Sequence, residues 1–307
     1  MGRLFSPRAF VIFVIVLCAL FISGTSEAFL DGGIGARSTA MGDAFVSVAD
    51  DPDAVFANPS GLAQVEKKEI TYTNVSLFLT GIEGDNLDQH LIAAALPITP
   101  TLAVGVGYQR IGSDLLNENG AVASVSLKMK SDLYLGASVN LLWWKVGEIP
   151  NNDPLSDASK LSIGVDAGAL YKSPWKANFG LFLKNINQPN MAKEEVQQPF
   201  KLDAQGNYVL DASGNKVRDT SVDVSDAGKL PFDLHVGVSY PFTKSLLTAE
   251  VVIDDLSGER ETRLLVGGEA ELVPGFSLRA GGSQFLSENA VGDRPAVQGN
   301  VGVGYLS

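Results

Sequence analysis

Large apolar residues alternate with small or polar ones from Lys68 almost to the last residue, and this alternation limits the folds that the chain can adopt. In segment 102–109, large apolar residues at even positions alternate with small or polar residues at odd positions. Segments 161–168 and 234–239 repeat the pattern. A period of two places alternate side chains on opposite faces of a β-strand. The alternation therefore predicts an all-β fold.

The composition of the second face indicates which kind of all-β fold this is. A soluble sandwich would place Lys, Glu and Thr on the face opposite its core, whereas here that face is rich in glycine. A crowded barrel lumen has a use for such small residues. After residue 28, no segment approaches 18 consecutive apolar residues, the length that a membrane-spanning helix needs. The sequence predicts an antiparallel transmembrane β-barrel.

Turn residues divide the alternating region into twelve predicted strands. The predicted strands are 68–80, 87–96, 102–111, 120–128, 132–146, 160–171, 175–186, 230–240, 245–254, 261–272, 276–286 and 296–306. Their connections alternate between short, as at 129–131, and long, as at 111–119 and 187–229. Outer-membrane barrels have short periplasmic turns and long outer loops. Residues 68–307 are therefore predicted to form the barrel, with 187–229 as its longest outer loop.

Prolines and aromatic residues agree with this assignment. None of the fourteen prolines falls in the interior of a predicted strand, where it would remove a hydrogen bond from the sheet. The aromatic residues near predicted strand ends are typical of two interfacial girdles. They are Tyr171, Trp175, Tyr240, Phe242, Phe276 and Tyr305 at the short-turn end, and Phe78, Trp143, Trp144 and Phe285 at the other.

Residues 1–28 have the pattern of a secretory signal peptide. Arg3 and Arg8 precede the apolar run 9–22, and Ser26-Glu27-Ala28 is a small-x-small cleavage site. A retained membrane anchor is the alternative, but the apolar run is short for a membrane span. Cleavage would remove Cys18, the only cysteine, so no disulfide or thiol chemistry is expected in the mature chain.

The charge of the chain argues against nucleic acid as a partner. The formal net charge is −12, and no basic run exceeds the pair Lys67-Lys68. A phosphate backbone is bound by clusters of Lys and Arg. We expect no nucleic-acid binding.

Between the signal peptide and the barrel lies segment 29–67, which is rich in small residues. Short helical stretches are predicted there, broken at Asp50-Asp51-Pro52 and at Asn58-Pro59. The glycines follow no predicted strand and open no nucleotide-binding unit, so a phosphate cradle is not favoured. A segment so rich in small residues can pack tightly inside the barrel, and we predict that 29–67 forms a plug there. Its motif residues are Gly35, Arg37, Met41, Gly42, Asp50, Asp51, Pro52, Asn58, Pro59 and Gly61.

These motif residues resemble the N-terminal signature of the PorV/PorQ group in the FadL (long-chain fatty-acid transporter, OMPP1) superfamily. The resemblance is close over residues 35–63 and loose over the strands. It implies a fourteen-stranded barrel whose N-terminal segment forms a hatch in the lumen, with Asn58 and Pro59 in its motif. Two departures are the twelve predicted strands and an end, Gly304-Tyr305-Leu306-Ser307, without the usual terminal aromatic. Either the barrel is shortened to twelve strands, or the sequence stops two strands before the end of a fourteen-stranded barrel. We favour the early stop.

Polar residues on the predicted lumen face form a second candidate group. They lie on four consecutive strands and are His235, Glu250, Arg263, Glu269, Glu271 and Arg279. Acids and bases on neighbouring strands can satisfy each other, so a structural role is favoured over substrate binding. No catalytic pattern surrounds His90 or His235, the only histidines. The sequence predicts neither an enzyme nor a cofactor or metal site.

The loop 187–229 contains a small repeat. Leu202-Asp203-Ala204-Gln205-Gly206-Asn207 returns eight residues later as 210–215. Its Gly-Asn pairs predict successive turns of a short hairpin. Calcium binding by the loop aspartates is the alternative, but the EF-hand spacing is absent.

Three functional hypotheses remain open at this stage. The resemblance implies passive uptake or transfer of hydrophobic molecules across the outer membrane. It also implies an alternative, a PorV-like accessory role in type IX protein secretion, with secreted proteins as partners and no solute transport. A secreted soluble β-protein is the third. The first two share outer-membrane lipid as the surroundings of the barrel.

Overall fold

The computed structural model describes residues 33–76, 87–113, 116–147, 158–192, 200–203, 208–217, 228–256, 261–286 and 297–305. The predicted signal peptide lies outside these residues, so its cleavage stays a prediction. Within them, no helix has both the length and the hydropathy needed to cross a membrane.

Twelve strands form one antiparallel sheet, in which each strand pairs with the next along the chain. They are β1 Glu69–Ser76, β2 Asp88–Thr99, β3 Leu102–Gly112, β4 Leu116–Lys128, β5 Leu133–Val146, β6 Ser159–Lys172, β7 Asn178–Lys184, β8 Asp233–Pro241, β9 Ser245–Asp254, β10 Glu261–Val273, β11 Phe276–Phe285 and β12 Val297–Tyr305. This confirms the prediction of twelve antiparallel strands.

Residues 33–65, here called the N-terminal segment, contain short helices. Helix α1 is Ala36–Ala40, α2 is Ala54–Ala57, and a 3-10 helix spans Pro59–Gln64. The predicted break at Asn58-Pro59 is confirmed, since α2 ends at Ala57 and the 3-10 helix begins at Pro59. No helix is interrupted at Asp50-Asp51-Pro52, because α1 already ends at Ala40. The Asn58-Pro59 break starts a new helix because Asn58 Oδ1 accepts a hydrogen bond from the Ser60 amide, and Pro59 has no amide hydrogen to satisfy.

The sheet curls around the N-terminal segment into a barrel. The Ala36 amide donates to Thr73 Oγ1 on β1 (3.3 Å), and Asn300 Nδ2 on β12 donates to the Thr39 carbonyl (2.7 Å). The first and last strands therefore meet the same short helix. Among the described residues, β12 and β1 do not pair with each other.

The two faces of the sheet differ as predicted. On β6, the outward Leu161 and Ile163 are 59% and 55% exposed, while the inward Asp166 is buried. On β3, a Cβ added to Gly105 or Gly107 would collide with side chains of the N-terminal segment, so both glycines face inward. An apolar outer surface and a small-residue inner one are the arrangement of a barrel in lipid. The fold is an antiparallel transmembrane β-barrel.

The core lies between the N-terminal segment and the sheet rather than between two sheets. Met41, Phe45, Val55 and Leu62 are fully buried and pack in one cluster with Ala93 of β2 and its neighbours. Burial of these side chains is the apolar contribution that holds the segment in place.

Two details of the predicted strands are wrong. Pro97 lies within β2, not in a turn, at a shift in the β2–β3 register where its missing amide hydrogen disrupts no regular ladder. The predicted long connection 111–119 is also mostly strand, since β3 ends at Gly112 and β4 begins at Leu116. Arg110 binds the Asn117 side chain across the two strands and prolongs their pairing.

The predicted aromatic girdles are confirmed only in part. At the short-turn end, Trp175 and Tyr305 are strongly exposed, in company with other aromatic side chains there. At the long-loop end, Trp144 instead donates its indole N–H to the Met191 carbonyl (2.7 Å), and Phe285 lines an internal cavity. Trp144 and Phe285 occupy inward-facing positions of their strands, so their side chains point into the barrel although they lie near a strand end.

The described part of the long loop contains two small hairpin closures, as the repeat predicted. Leu202 bridges Tyr208, and Leu210 bridges Lys216. Asp211 Oδ1 accepts hydrogen bonds from the Ser213 and Asn215 amides, at 2.8 Å and 2.9 Å. This aspartate is used to hold a turn.

Candidate functional site

The candidate site is the surface on which the N-terminal segment meets the inner face of the barrel. Glycines on successive strands allow the approach. A Cβ on Gly136 of β5 would overlap the backbone of Pro59 and Ser60, and one on Gly180 of β7 would overlap the backbone at Val46. These glycines lie near the short-turn ends of their strands. The segment therefore occupies the short-turn half of the lumen.

Met41 and Gly42 make the closest approach to β10 and β11. Met41 is fully buried, and a Cβ on Gly267 or Gly281 would overlap its backbone. Gly42 has a φ of +67°, a conformation that L-residues with side chains rarely adopt, and its backbone lies against that of Gly282. Backbone here packs directly on backbone.

Asn58 ties the middle of the segment together and to the wall. Its side chain is fully buried, and Nδ2 donates to the Val46 carbonyl (2.8 Å) and to the Ala169 carbonyl of β6 (3.3 Å). Oδ1 accepts from the Ser60 hydroxyl at 2.6 Å. All the polar atoms of the Asn58 side chain are thus used in a buried site, where an unmet group is costly.

Glu250 of β9 holds a turn of the segment. Its Oε2 accepts hydrogen bonds from the Phe45 and Val46 amides, both at 2.9 Å, and the side chain is buried. Its Oε1 lies 2.7 Å from His235 Nδ1 on β8. The Glu250 carboxylate therefore accepts hydrogen bonds from two backbone amides that lie outside the helices of the segment.

Arg37 forms a cluster with residues of both the segment and the wall. The Arg37 guanidinium contacts Asp50 (2.5 Å), Asp51 (3.1 Å) and Glu269 of β10 (3.0 Å). Arg279 of β11 also binds Glu269. These five residues are the Arg37 cluster. Burial alone would lower the pKa of Arg37, but its three carboxylate neighbours raise that pKa well above its ordinary value.

Asp53 lies beside this cluster, and its carboxyl group has a raised pKa. Burial, reinforced by the charge of Asp51, raises the pKa of Asp53 from 3.8 to about 7, while Thr71 and Arg37 oppose the shift. Thr71 Oγ1 of β1 donates to Asp53 Oδ1 at 2.5 Å. Burial likewise raises the pKa of Asp51. Near neutral pH Asp53 of the docked segment therefore holds its proton about half of the time, whereas the free segment would have released it.

We expect Asp53→Asn to remove this pH dependence. Because the pKa of Asp53 is higher in the docked state, its contribution is complete below pH 3.8 and is lost as pH rises through about 7. At pH 8 the variant should be more stable than the parent by about 4 kcal/mol, and at pH 4 nearly equally stable. Urea unfolding in detergent at both pH values measures this.

The matched control for that experiment is Asp132→Asn, in an exposed turn between β4 and β5. Its unfolding free energy should follow that of the parent at both pH values. Equal stability of parent and Asp53→Asn at pH 8 would contradict the assigned proton.

The structure separates the predicted lumen residues into groups. Glu269 and Arg279 join the Arg37 cluster, and His235 pairs with Glu250. Arg263 instead binds Asp254 on the neighbouring strand at 2.7 Å. Glu271 accepts from the Gly275 amide in the β10–β11 turn.

The remaining motif residues lie in or beside the segment core. Pro52 and Pro59 are fully buried. A Cβ on Gly61 would overlap the Ala49 carbonyl, and one on Gly35 would overlap the Asp53 carboxyl. These contacts explain why small residues and prolines occupy these positions.

A cavity of about 180 Å³ lies between the segment and the long-loop half of the lumen. Phe56 of the segment, Phe182 and Phe285 contribute aromatic surface, and Lys184 and Arg263 contribute charge. Among the described residues, no group of acidic, His or Cys side chains is placed to hold a metal ion. The arrangement holds the segment against the wall and leaves a small cavity beside it.

No protein-family model matches the chain, and no curated protein matches its sequence. Solved structures do match. The deltaS2 mutant of the monoaromatic hydrocarbon channel TodX superimposes with a TM-score of 0.61 at 15% identity, covering 89% of each chain. A Pseudomonas aeruginosa FadL homologue gives 0.52 at 14% identity, covering 89% of this chain and 83% of that one.

The Ralstonia pickettii toluene transporter TbuX gives 0.53 at 12% identity, covering 84% of this chain and 90% of its own. The chain has the FadL-type fold. At these identities the likeness concerns the fold alone, and no finer PorV/PorQ relationship follows from it.

Two residues of the site are not identified by the sequence patterns. Asp53 stands between Pro52 and Ala54, and its only signal is that it is the third aspartate in 50–53. Gln89 of β2 donates from Nε2 to the Gly33 carbonyl (3.1 Å) at full burial. A lone glutamine on a predicted inward face gives little warning of such a contact.

Proposed function

We propose that this chain is an outer-membrane barrel that lets hydrophobic molecules pass passively, with segment 29–67 as its plug. In this proposal residues 1–28 are removed on export. The observation that carries the proposal is the way the N-terminal segment fills the lumen: it is held by apolar packing and side-chain contacts and, among the described residues, shares no β-ladder with the wall.

A segment attached in this way can leave without unfolding the barrel. Its ties to the wall include the apolar cluster around Met41, Phe45 and Leu62 and the polar contacts of the Arg37 cluster, Glu250, Asn58 and α1. The strands are held to one another by their own ladders, which do not include the segment. Local opening of such a unit costs less free energy than global unfolding.

The nature of the passing molecule is proposed from two sources. The structurally similar proteins TodX and TbuX are described as a monoaromatic hydrocarbon channel and a toluene transporter. The cavity beside the segment is lined by Phe56, Phe182 and Phe285. Its volume of about 180 Å³ is close to that of a cavity that holds benzene, about 150 Å³, and the charged Asp43, Lys184, Glu250 and Arg263 line it as well. A small hydrophobic molecule fits this description.

The predicted plug and lumen residues have structural roles in this proposal. Arg37, Asn58, Glu250 and Glu269 anchor the segment, and the motif glycines allow its close approach. Release of these anchors would open the lumen.

The proposal is tested by uptake into cells that lack their own hydrocarbon channels. Expression of the folded protein should raise the initial rate of radiolabelled p-xylene uptake several-fold, with no rise in hydrolysis of a hydrophilic periplasmic reporter such as nitrocefin. Heat-shifted mobility of the protein from the outer-membrane fraction shows that it is folded. An unchanged p-xylene rate with folded protein in that fraction would sink the proposal.

The accessory role in type IX secretion stays a prediction. Its test is deletion of the gene in its host, with secreted cargo and growth on hydrophobic substrates scored together. Loss of secretion with normal growth would favour that role over uptake.

A further inference from the structure

Lysine residues are concentrated at the short-turn end of the barrel. Three successive short turns with their flanking residues, 128–133, 172–178 and 241–245, join β4 to β5, β6 to β7 and β8 to β9. They contain five lysines and one acidic residue, although the whole chain has 35 acidic and only 23 basic residues. The five, here called the lysine rim, are Lys128, Lys130, Lys172, Lys176 and Lys244.

The lysine rim keeps a positive charge in the folded barrel. Lys128 and Lys172 both lie against the ring of Tyr134, at 5.4 Å and 5.5 Å from its centroid. Asp132, the acidic residue of these turns, contacts Lys128 at 3.5 Å and can balance only one of the five charges. The remaining side chains of the rim are exposed, and they are Lys130, Lys176 and Lys244.

The outer face of the barrel beside the lysine rim is aromatic. Tyr171 of β6 and Phe179 of β7 lie opposite each other with exposed side chains, and Trp175 in the turn between them is 74% exposed. At the next turn, the exposed rings of Tyr240 and Phe242 pack against each other, with 4.9 Å between their centroids. Exposed aromatic rings of this kind lie at the level of the lipid headgroups. The lysine rim therefore lies at the depth of the lipid phosphates.

We propose that the lysine rim and the aromatic face beside it bind anionic phospholipid in the periplasmic leaflet. The ammonium groups would contact the lipid phosphates, and the aromatic rings would pack against the glycerol and acyl chains. The inference goes beyond the proposed function, because it requires a barrel in lipid but no passage of molecules through it.

Charge complementarity and the aromatic face together select this occupant. Lysine binds phosphate as a point charge, and clustered lysines next to a membrane attract anionic lipid. A zwitterionic lipid has no net charge to be attracted. A soluble polyanion would use the lysines but would leave the aromatic face without a partner. Short turns of outer-membrane barrels lie on the periplasmic side, which specifies the leaflet.

The proposal is tested by fluorescence quenching in lipid vesicles. Of the three tryptophans, only Trp175 lies at the short-turn end, since Trp143 and Trp144 lie near the opposite end of β5. The full chain is reconstituted in phosphatidylcholine with increasing amounts of brominated phosphatidylglycerol or, in parallel, brominated phosphatidylcholine. Bromine on an acyl chain quenches a tryptophan that it contacts. The signal of Trp175→Phe is subtracted as the contribution of the other two tryptophans.

The quenching curves give the relative affinity for the two lipids. Phosphatidylglycerol should be preferred about fivefold or more, since fivefold is the effect of one lysine near anionic lipid. In the triple variant Lys130→Gln, Lys176→Gln and Lys244→Gln, the preference should fall below about twofold. Equal quenching by the two lipids in the parent, or a preference that survives in the triple variant, overturns the proposal.

A second triple variant is the matched control, because it removes the same charge at the long-loop end. It combines Lys145→Gln, Lys201→Gln and Lys216→Gln, whose parent side chains are also exposed. The lipid preference at Trp175 should stay at the parental level. Equal loss in both triple variants would assign the preference to net charge alone and overturn the proposal. Heat-shifted mobility shows that each variant is folded.

Two further measurements use the parent and need no lysine variant. Raising the salt concentration from about 50 mM to about 500 mM should weaken the preference, because salt screens exposed charges. A preference that does not change with salt contradicts binding by the lysine rim. Millimolar glycerol 1-phosphate, a soluble headgroup compound, should leave the quenching unchanged. Displacement of the lipid by this compound would assign the lysines to a soluble phosphate and overturn the lipid proposal.

The failures of the two proposals are distinguishable. Quenching measures lipid at the outer face of the barrel, whereas p-xylene uptake measures passage through it. Uptake without a lipid preference removes the lipid site alone, and a lipid preference without uptake removes the proposed function alone.

Discussion

Arg37→Met is expected to open the lumen to ions. The substitution keeps an apolar stem but removes the cation that Asp50, Asp51 and Glu269 share. Breaking a largely buried charge pair by removing one partner typically costs about 3 kcal/mol, because the charges left behind lose their partner. Since Arg37 lies on the segment and Glu269 on the wall, most of this cost falls on the docked state.

Planar-bilayer recordings measure the consequence directly. The parent should show rare, brief openings, and Arg37→Met should raise the fraction of time spent open by about a hundredfold, the factor that corresponds to about 3 kcal/mol. Arg110→Met is the control, because Arg110 binds Asn117 of the adjacent strand, a contact in which the segment takes no part. Similar opening in both arginine variants would argue against an anchoring role for Arg37.

Gly281→Ala is expected to displace the N-terminal segment by steric overlap. The added Cβ would collide with the backbone of Met41 and Gly42, which cannot rotate away as a side chain could. Overpacking of a tight contact usually costs about 1–3 kcal/mol, and a backbone collision lies at the upper end. Trypsin should then cleave after Arg37 in the folded barrel, as detected by mass spectrometry.

Gly164→Ala supplies the matched control on the same inner face. There the new Cβ would meet Asn140 and Asn185 at 3.5 Å, an ordinary contact distance. Protection of Arg37 should stay at the parental level, with a change in unfolding free energy within about 0.5 kcal/mol. If Gly281→Ala leaves Arg37 as protected as Gly164→Ala does, the segment does not pack against β11 as described.

The barrel itself was predictable because its signal repeats within each strand. The exposed Leu161 and Ile163 and the inward Gly105 and Gly107 follow from a period of two, which depends on neighbouring residues only. Local sequence rules fail where strand pairing changes their outcome. Because proline lacks an amide donor, they place Pro97 in a turn, but in the structure a register shift in β2 accommodates it within the strand.

The anchors of the segment were less predictable. Glu269 and Arg279 were named as lumen residues of adjacent strands, and they do bind each other. Their third partner, Arg37, lies 232 residues from Glu269 in the chain, a separation over which spacing carries no information. The same holds for Glu250, whose two backbone partners at Phe45 and Val46 depend on how deep the segment sits.

Local sequence patterns are sufficient to predict the antiparallel barrel, the inward and outward faces of its strands, and the small-residue segment with its break at Asn58-Pro59. These properties follow from residue size, hydrogen-bonding capacity and local periodicity. The position of the segment in the short-turn half of the lumen, the rise in the pKa of Asp53 to about 7, and the burial of Gln89 Oε1 without a donor among the described residues follow only from the folded structure. Each of these depends on closure of the barrel, which brings distant residues together and excludes water from the space between them.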